Sequence, residues 1–329
     1  MKHAFFKTLF AVLLSVLVLI GGNCMPFSSV IPGNTNADAK IIKTVAVSRG
    51  SIERTSDQDI HAVSSLDNTI FDGNDDSMIE ESTELRLLTF NIRHGVDENG
   101  IEGLDSIIKS IKETGAEIIA LQEVDKFMPS SGFKDQAKEI AEALGYNYVY
   151  GETINLLGIK YGNAILSTFP IIQHENMKLY SKGIETRGLL KAVVDVNGIL
   201  YNVYTTHLGL NSDERIRQIE QINQVIEEDS GYVILMGDFN EEPNTNTMQE
   251  ISDRLLDSAK HIDNGDEYYT YAFYSDKPNT RIDRIYVDKE ITVNDHYVIE
   301  EQISDHCMVM AVISRVDWEK ERSITLIEN

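Results

Sequence analysis

Between Leu85 and Ser314 short apolar runs alternate with segments whose apolar residues recur every three or four positions, and this pattern admits only an α/β fold. Leu85-Arg86-Leu87-Leu88-Thr89-Phe90-Asn91 reads as a strand, and Leu104, Ile107, Ile108 and Ile111 form the stripe of a helix that Gly115 ends. Ile118 to Glu123 reads as a buried strand, and Ala137, Ile140, Ala141 and Leu144 mark a second helix, stopped at Gly145. Asn163 to Ser167, Leu189 to Val196 and Leu200 to His207 are then strands in succession. A third helix starts near Asp213 with Asn211 or Ser212 as N-cap, and its spacing directs Ile216, Ile219, Ile222 and Ile226 inward. Val233 to Met236, Ile282 to Val287 and Met308 to Ile313 complete the strands. The expectation is two packed sheets covered by helices, with no internal repeat.

The ends of the chain are different in kind. Lys2 and Lys7 precede the apolar run Leu9 to Ile20, the layout of an export signal, and Ala37-Asp38-Ala39 resembles a cleavage site. The alternative is an uncleaved N-terminal anchor that attaches the protein to the outer face of the membrane, although the run falls short of the roughly 20 apolar residues of a spanning helix. Residues 1–39 are therefore read as export signal or anchor, 40–83 as a flexible polar linker, 84–315 as the catalytic domain and 316–329 as a polar tail. Cys24 and Cys307 do not form a disulfide framework. With 29 Lys and Arg against 53 Asp and Glu, the formal charge is -24, which excludes a protein that coats nucleic acid through a basic surface. A cation that supplies the missing positive charge leaves open an enzyme that meets phosphate only transiently.

Nearly every strand ends in a residue able to bind a metal or move a proton. Phe90 gives way to Asn91, Leu121-Gln122 to Glu123, Thr205-Thr206 to His207, Met236-Gly237 to Asp238-Phe239-Asn240, Arg281-Ile282 to Asp283, and Ser304 to Asp305-His306. Each alone is ordinary turn chemistry, but turns accept Gly, Ser or Lys equally well, so the recurrence marks one rim of a sheet as a site. Carboxylates, amides and two histidines with no thiolate suit Mg²⁺ or Mn²⁺ better than Zn²⁺. Phosphoester hydrolysis needs this set: a cation on a phosphoryl oxygen, a base for water, and a histidine that meets developing charge. Asp283 is placed to orient His306, as a carboxylate orients imidazole in hydrolytic triads, with no serine nucleophile indicated.

These residues resemble the endonuclease/exonuclease/phosphatase, or DNase I-like, superfamily over about residues 84 to 315. The matching stretches run in order through Thr89-Phe90-Asn91-Ile92-Arg93-His94-Gly95, Leu121-Gln122-Glu123-Val124, Tyr161-Gly162-Asn163-Ala164-Ile165-Leu166-Ser167, Thr206-His207-Leu208, Gly237-Asp238-Phe239-Asn240, Arg281-Ile282-Asp283 and Ser304-Asp305-His306. The resemblance implies a four-layer α/β/β/α sandwich and divalent-metal hydrolysis of phosphoesters. It implies Glu123 as principal metal ligand assisted by Asn91 and Asp305, Asp238 with Asn240 positioning or activating water, His207 on the phosphate, and the Asp283-His306 pair at phosphorus. Either Asp238 or His306 is the base. Arg187 matches an arginine that binds a phosphate oxygen in many members, the alternative being a surface arginine at a strand start; His94 reads as a loop residue, the alternative being a place at the rim, and Tyr161 as core or substrate contact.

The same apparatus serves DNA, RNA, sphingomyelin, phosphoinositides and nucleotide phosphates across that superfamily, so the site gives the reaction and the loops the substrate. The expected activity is an exported phosphodiesterase of nucleic acid or nucleotides that forms no stable nucleic-acid complex. The alternatives are a sphingomyelinase or phospholipase C-like enzyme on a phospholipid headgroup, a phosphomonoesterase, and a non-catalytic surface binding module; no long aromatic hairpin for bilayer insertion is evident.

Overall fold

A computed structural model describes residues 84–97, 101, 103–262, 268–275 and 277–314. The N-terminal segment 1–39, the linker 40–83 and the tail 316–329 lie outside the described residues.

Two six-stranded sheets form the centre. The first has the order β11-β12-β1-β2-β4-β3, built from β1 (Glu84–Asn91), β2 (Ile118–Lys126), β3 (Asn147–Leu156), β4 (Ile159–Ser167), β11 (Val293–Ile299) and β12 (Met308–Ser314). The second has the order β5-β6-β7-β8-β10-β9, built from β5 (Ile171–Leu179), β6 (Arg187–Val196), β7 (Ile199–His207), β8 (Tyr232–Asp238), β9 (Leu255–Asp257) and β10 (Asp283–Asp288). Helices α1 (Leu104–Thr114) and α2 (Gln136–Leu144) pack outside the first sheet, and α3 (Ser212–Glu228) and α4 (Asn246–Ser252) outside the second. A short α5 (Ser258–Ile262) packs on β10 and β11. This is the four-layer α/β/β/α sandwich that the motif order implies.

The period of two along each strand explains the layering. Leu85 and Leu87 of β1 enter the core between the sheets while Leu88 and Phe90 meet the outer helices. Ile118 and Ala120 of β2 and Ile234 and Met236 of β8 likewise face inward, with Ile119, Leu121, Val233 and Leu235 turned to helices. Strands buried on both faces are apolar without interruption, which is why these segments are conspicuous in the sequence.

Four strands lacked that signal: β3, β11, β5 and β9. They are the four sheet edges. Exposed on one side, β5 carries Gln173, His174, Glu175 and Asn176 in its middle, polar residues that protect an edge from pairing with another chain.

The helix boundaries follow local chemistry. Gly115 and Gly145 close α1 and α2 in the left-handed region, and the Asn211 side chain caps α3 by accepting from the Asp213 and Glu214 amides. Ile216 does not point inward as its spacing suggests; it is 41% exposed. The stripe centres on Ile219, Ile222 and Ile226, and at the start of α3 the inward place belongs to Gln218, which accepts from the Gly209 amide and donates to the Tyr180 carbonyl. Cys307 is buried, with no cysteine partner among the described residues.

Where α5 meets β11, His296 is buried with its Nδ1 2.9 Å from Ser258 Oγ and its Nε2 without a partner. Burial, helped by the nearby Arg281 guanidinium, pulls His296 down to about 3. The unfolded chain takes up this proton near pH 6.5 and the folded protein does not, so stability is complete above that pH and falls as pH drops toward 3. Urea titrations at pH 6.5 and 5 are expected to show a loss of up to about 2 kcal/mol from this residue, and His296→Gln is expected to remove that part of the pH dependence.

Candidate active site

Two parallel pairs, β1 with β2 and β7 with β8, lie at the centres of the two sheets and end on the same rim. In α/β folds the carboxyl ends of parallel strands are where sites form, because the chain must leave the sheet there. On the second sheet the registers His207↔Asp238 and Asp238↔Asp283 set three functional residues in one row. On the first, Asn91 ends β1 opposite Gln122, the neighbour of Glu123.

Glu123 reaches the rim through a β-bulge. Pairing of β2 with β4 slips between Leu121 and Val124, and Glu123 takes a left-handed φ of 57°. Arg93, His94 and Asn240 also have positive φ, so backbone strain gathers around one opening. Gly237 holds β7 and β8 together just before Asp238; a Cβ there would lie 2.0 Å from the Thr206 carbonyl oxygen, so no side chain fits.

The polar groups are tied across the sheets. Asn91 Nδ2 donates to Glu123 Oε1 and to Asp238 Oδ2, both at 3.1 Å. Beneath them Gln122 Nε2 donates to Thr89 Oγ1 and across to Thr205 Oγ1 at 2.9 Å. Asp238 Oδ2 also lies 3.3 Å from His207 Nε2 and 3.8 Å from His306 Nε2, and Asp238 Oδ1 accepts from the Asn240 amide. Asn240 Nδ2 donates to the Leu208 carbonyl, which fixes the turn after β8. His306 Nδ1 lies 2.9 Å from Asp283 Oδ2, which also accepts from Thr270 Oγ1. Ser304 Oγ donates to the Asn91 carbonyl, and Asp305 Oδ2 lies 3.4 Å from Arg93 Nε.

Burial and charge divide these groups by protonation. Burial, reinforced by Asp283, raises the Asp238 carboxyl; His306, the Asn240 amide and Asn91 offset part of that rise. Burial alone would lower His306, but the charge and hydrogen bond of Asp283, with Asp238 and Asp305, outweigh it and hold the ring protonated. His207 has no carboxylate strong enough to do this: burial, Arg187 and His306 push it well below 6.5, and it stays neutral with Nδ1 unpartnered.

The family described as Endonuclease/Exonuclease/phosphatase matches residues 88–306, the span that contains every group above. The chain belongs to the endonuclease/exonuclease/phosphatase family. The uncharacterized protein YbhP of Escherichia coli strain K12 is 27% identical over 172 residues, 47% of this chain, and the chain spans 66% of the length of that relative. The endonuclease/exonuclease/phosphatase from Beutenbergia cavernae DSM 12333 is similar in structure, with a TM-score of 0.60 at 21% identity over 70% of this chain and 72% of the other. The mannosyl-6-phosphatase Bt3783 of Bacteroides thetaiotaomicron VPI-5482 shares the fold at TM-score 0.56 and 18% identity, over 70% of this chain and 99% of that one. Members of the endonuclease/exonuclease/phosphatase family are divalent-metal-dependent hydrolases of phosphoesters.

Within this family framework the residues read from sequence converge in two groups. Asp238, Asp283 and His306 present ligand atoms all within 4.8 Å of one another, a spacing that can hold an ion. Glu123 and Asn91 form the second group, joined to the first through Asp238, while Asp305 stands against Arg93 at the edge. The Glu123 side chain is 20% exposed and offers hard oxygen at the opening, so an oxygen-seeking divalent cation fits there. Arg187 is not a surface arginine: it is buried, and its Nη1 lies 2.8 Å from Glu185 Oε1.

Two residues that the sequence left between alternatives are placed by the structure, and further site groups were not legible. His94 is no ordinary loop residue, since its ring lies between Glu123 and Asp125 with Nδ1 2.8 Å from Asp125 Oδ1. Tyr161 is buried under that ring at 5.2 Å and hydrogen-bonded to Glu185. A short hairpin was also missed: Tyr271 pairs with Thr280 and with His306, its ring lies 4.7 Å from the His306 ring, and Phe273 and Tyr274 are exposed beyond it. The signal was the aromatic spacing Tyr268, Tyr269, Tyr271, Phe273 and Tyr274 ahead of the Asn279-Thr280 turn end.

Removing the charge on Asp283 while keeping its shape isolates its effect on His306. Asp283→Asn is expected to lower turnover by about 10²- to 10⁴-fold and to move the His306 ring titration downward in NMR, with circular dichroism unchanged.

Proposed function

We propose that the protein is an exported phosphodiesterase that cleaves nucleic acid or nucleotides by attack of water on phosphorus, with Mg²⁺ or Mn²⁺ as its cation. The observation that carries this reading is the convergence on Asp238 Oδ2 of Asn91, His207 and His306, which sets a raised carboxylate beside an imidazolium on one rim. A cation held by Glu123 with Asn91 and Asp305 supplies Lewis-acid polarisation of a phosphoryl oxygen. Asp238, raised toward neutrality, is the better base for water, because His306 is already protonated and has no lone pair to offer at Nε2. His306 Nε2–H meets charge developing on the phosphoryl oxygens, and Asp283 keeps that proton on the ring. His207 keeps its place as a neutral donor beside Asp238, and Asn240 fixes the carboxylate through its amide.

Charge balance favours a diester. Glu123, Asp125, Glu185, Asp238, Asp283 and Asp305 crowd the rim, and Arg187 and Arg93 are already paired with Glu185 and Asp305. A monoanionic phosphodiester needs less compensating charge there than a dianionic monoester. The faces of Tyr271, Phe273 and Tyr274 support a substrate with flat rings such as nucleobases. The charge of -24 supports transient contact rather than a stable nucleic-acid complex. A second reading, hydrolysis of a phospholipid headgroup, draws on the same exposed Phe273 and Tyr274, which suit a lipid interface. Export rests on Lys2, Lys7 and the apolar run Leu9 to Ile20, which if retained would anchor the enzyme to the membrane.

Hydrolysis of bis-p-nitrophenyl phosphate is expected to depend on Mg²⁺ or Mn²⁺, to stop with EDTA, and to exceed hydrolysis of p-nitrophenyl phosphate. His306→Ala is expected to lower the rate by about 10²- to 10⁴-fold, and Glu123→Ala to lower rate and metal response together. A monoesterase alone, or sphingomyelin cleaved in preference to single-stranded DNA, would replace the nucleic-acid reading.

A further inference from the structure

We propose that His94 is a metal ligand: its Nε2, together with Glu123, forms a mixed nitrogen and oxygen site that takes Mn²⁺ in preference to Mg²⁺, with Asp125 as the carboxylate that aims the ring. This rests on the reading of Glu123 as the cation's carboxylate.

The imidazole is oriented from both ends. Nδ1 lies 2.8 Å from Oδ1 of the fully buried Asp125, which commits the Nδ1 proton to that carboxylate. Nε2 is left facing Glu123 Oε2 at 3.3 Å. Two donors each about 2.1 Å from a divalent cation and at right angles are about 3 Å apart, so this gap has the width of two neighbouring ligands. A histidine that gives its other N–H to a carboxylate is the usual arrangement around protein-bound metals.

The arrangement is built rather than incidental. Gln136, wholly buried in α2, donates to the His94 carbonyl at 2.6 Å and accepts from the Asp125 amide at 2.8 Å. One side chain thus clamps the loop that carries the imidazole to the strand that carries its carboxylate. Gly95 holds φ 73°, and a Cβ there would lie 2.5 Å from Gln136 Nε2, so a side chain at this position would strain the loop and displace the clamp. His94 holds φ 59°, in the left-handed region that histidine enters more readily than most side chains, and its ring rests on Tyr161 while 28% of its side chain stays exposed. The other ion-sized group, Asp238 with Asp283 and His306, is fully buried, and His306 already spends Nδ1 on Asp283. Imidazole strengthens binding of later divalent metals far more than of Mg²⁺, which predicts the order of affinity.

The full chain loaded with Mn²⁺ tests this by electron spin echo spectroscopy, which detects imidazole nitrogen bound to the ion. Expected are imidazole modulations in the wild type that vanish in His94→Asn, a substitution that tolerates positive φ, and a 10- to 100-fold loss of Mn²⁺ affinity by calorimetry with a smaller loss for Mg²⁺. Asp125→Asn, which keeps the imidazole, is expected to keep the modulation and weaken affinity in the same range. Modulation absent from the wild type, or unchanged in His94→Asn, overturns the proposal. Glu123→Gln separates the two levels: loss of Mn²⁺ binding there with no effect of His94→Asn defeats the histidine alone, and full Mn²⁺ binding there defeats the Glu123 reading beneath it.

Discussion

The site depends on one carboxylate oxygen. Asp238 Oδ2, on the second sheet, takes the Asn91 side-chain amide from the first and faces His207 of β7 and His306 of the loop before β12, so groups from both halves of the sandwich converge on this atom. A buried carboxylate without partners is costly, and here the cost is offset by groups that each have a further task. Asn91 joins Asp238 to Glu123, and Asn240 fixes the turn after β8. Gly237 lets β8 approach β7 closely enough to put Asp238 level with His207. Any shift between the sheets would part these contacts together, and the Gln122 bridge to Thr89 and Thr205 lies just where it resists such a shift.

How much was legible in the sequence follows from burial. The interior strands are apolar on both faces, so β1, β2, β6, β7, β8 and β12 declared themselves, and with them the polar residues that end them. The edges β3, β5, β9 and β11 did not, because an exposed edge is selected for polarity as much as for strand propensity. Glu123 was legible as a polar residue after Leu121-Gln122, but the bulge that aims it was not, since a left-handed glutamate leaves no mark in composition. The pairing of His94 with Asp125 escaped for another reason: Asp125 is unremarkable among its neighbours, and the two meet only because β1 and β2 run parallel and Gln136 of α2 fastens one to the other. Arg187 shows the converse, a residue found by motif whose burial and pairing with Glu185 only the fold reveals.

The acidity of the rim then explains why the chemistry needs a cation. Carboxylates outnumber free positive groups around the opening, and the histidines do not redress the balance equally. His306 is charged because Asp283 stands behind it, whereas His207, lacking such a partner and near Arg187, stays neutral. The same side chain thus serves twice in one site with opposite charge, and the distinction comes from what lies behind each ring. A phosphate approaching without a cation would meet net negative charge, so binding and catalysis are coupled to occupancy of the rim by metal.

That coupling also fits the chain as a whole. At -24 the protein repels polyanions that come near its surface, and this repulsion and the attraction of a metal-filled rim for phosphate both act within a Debye length, about 8 to 10 Å. Affinity is then local, confined to the scissile phosphate and to whatever rests on Tyr271 and the exposed hairpin beyond it. For a diester, the new phosphate end would carry more negative charge than the substrate did, and the acidic surroundings would favour its departure. On the proposed nucleic-acid reading, an enzyme of this charge gains turnover from the repulsion that denies it tight binding, and the hairpin's aromatic rings, which are indifferent to charge, are left to choose among substrates.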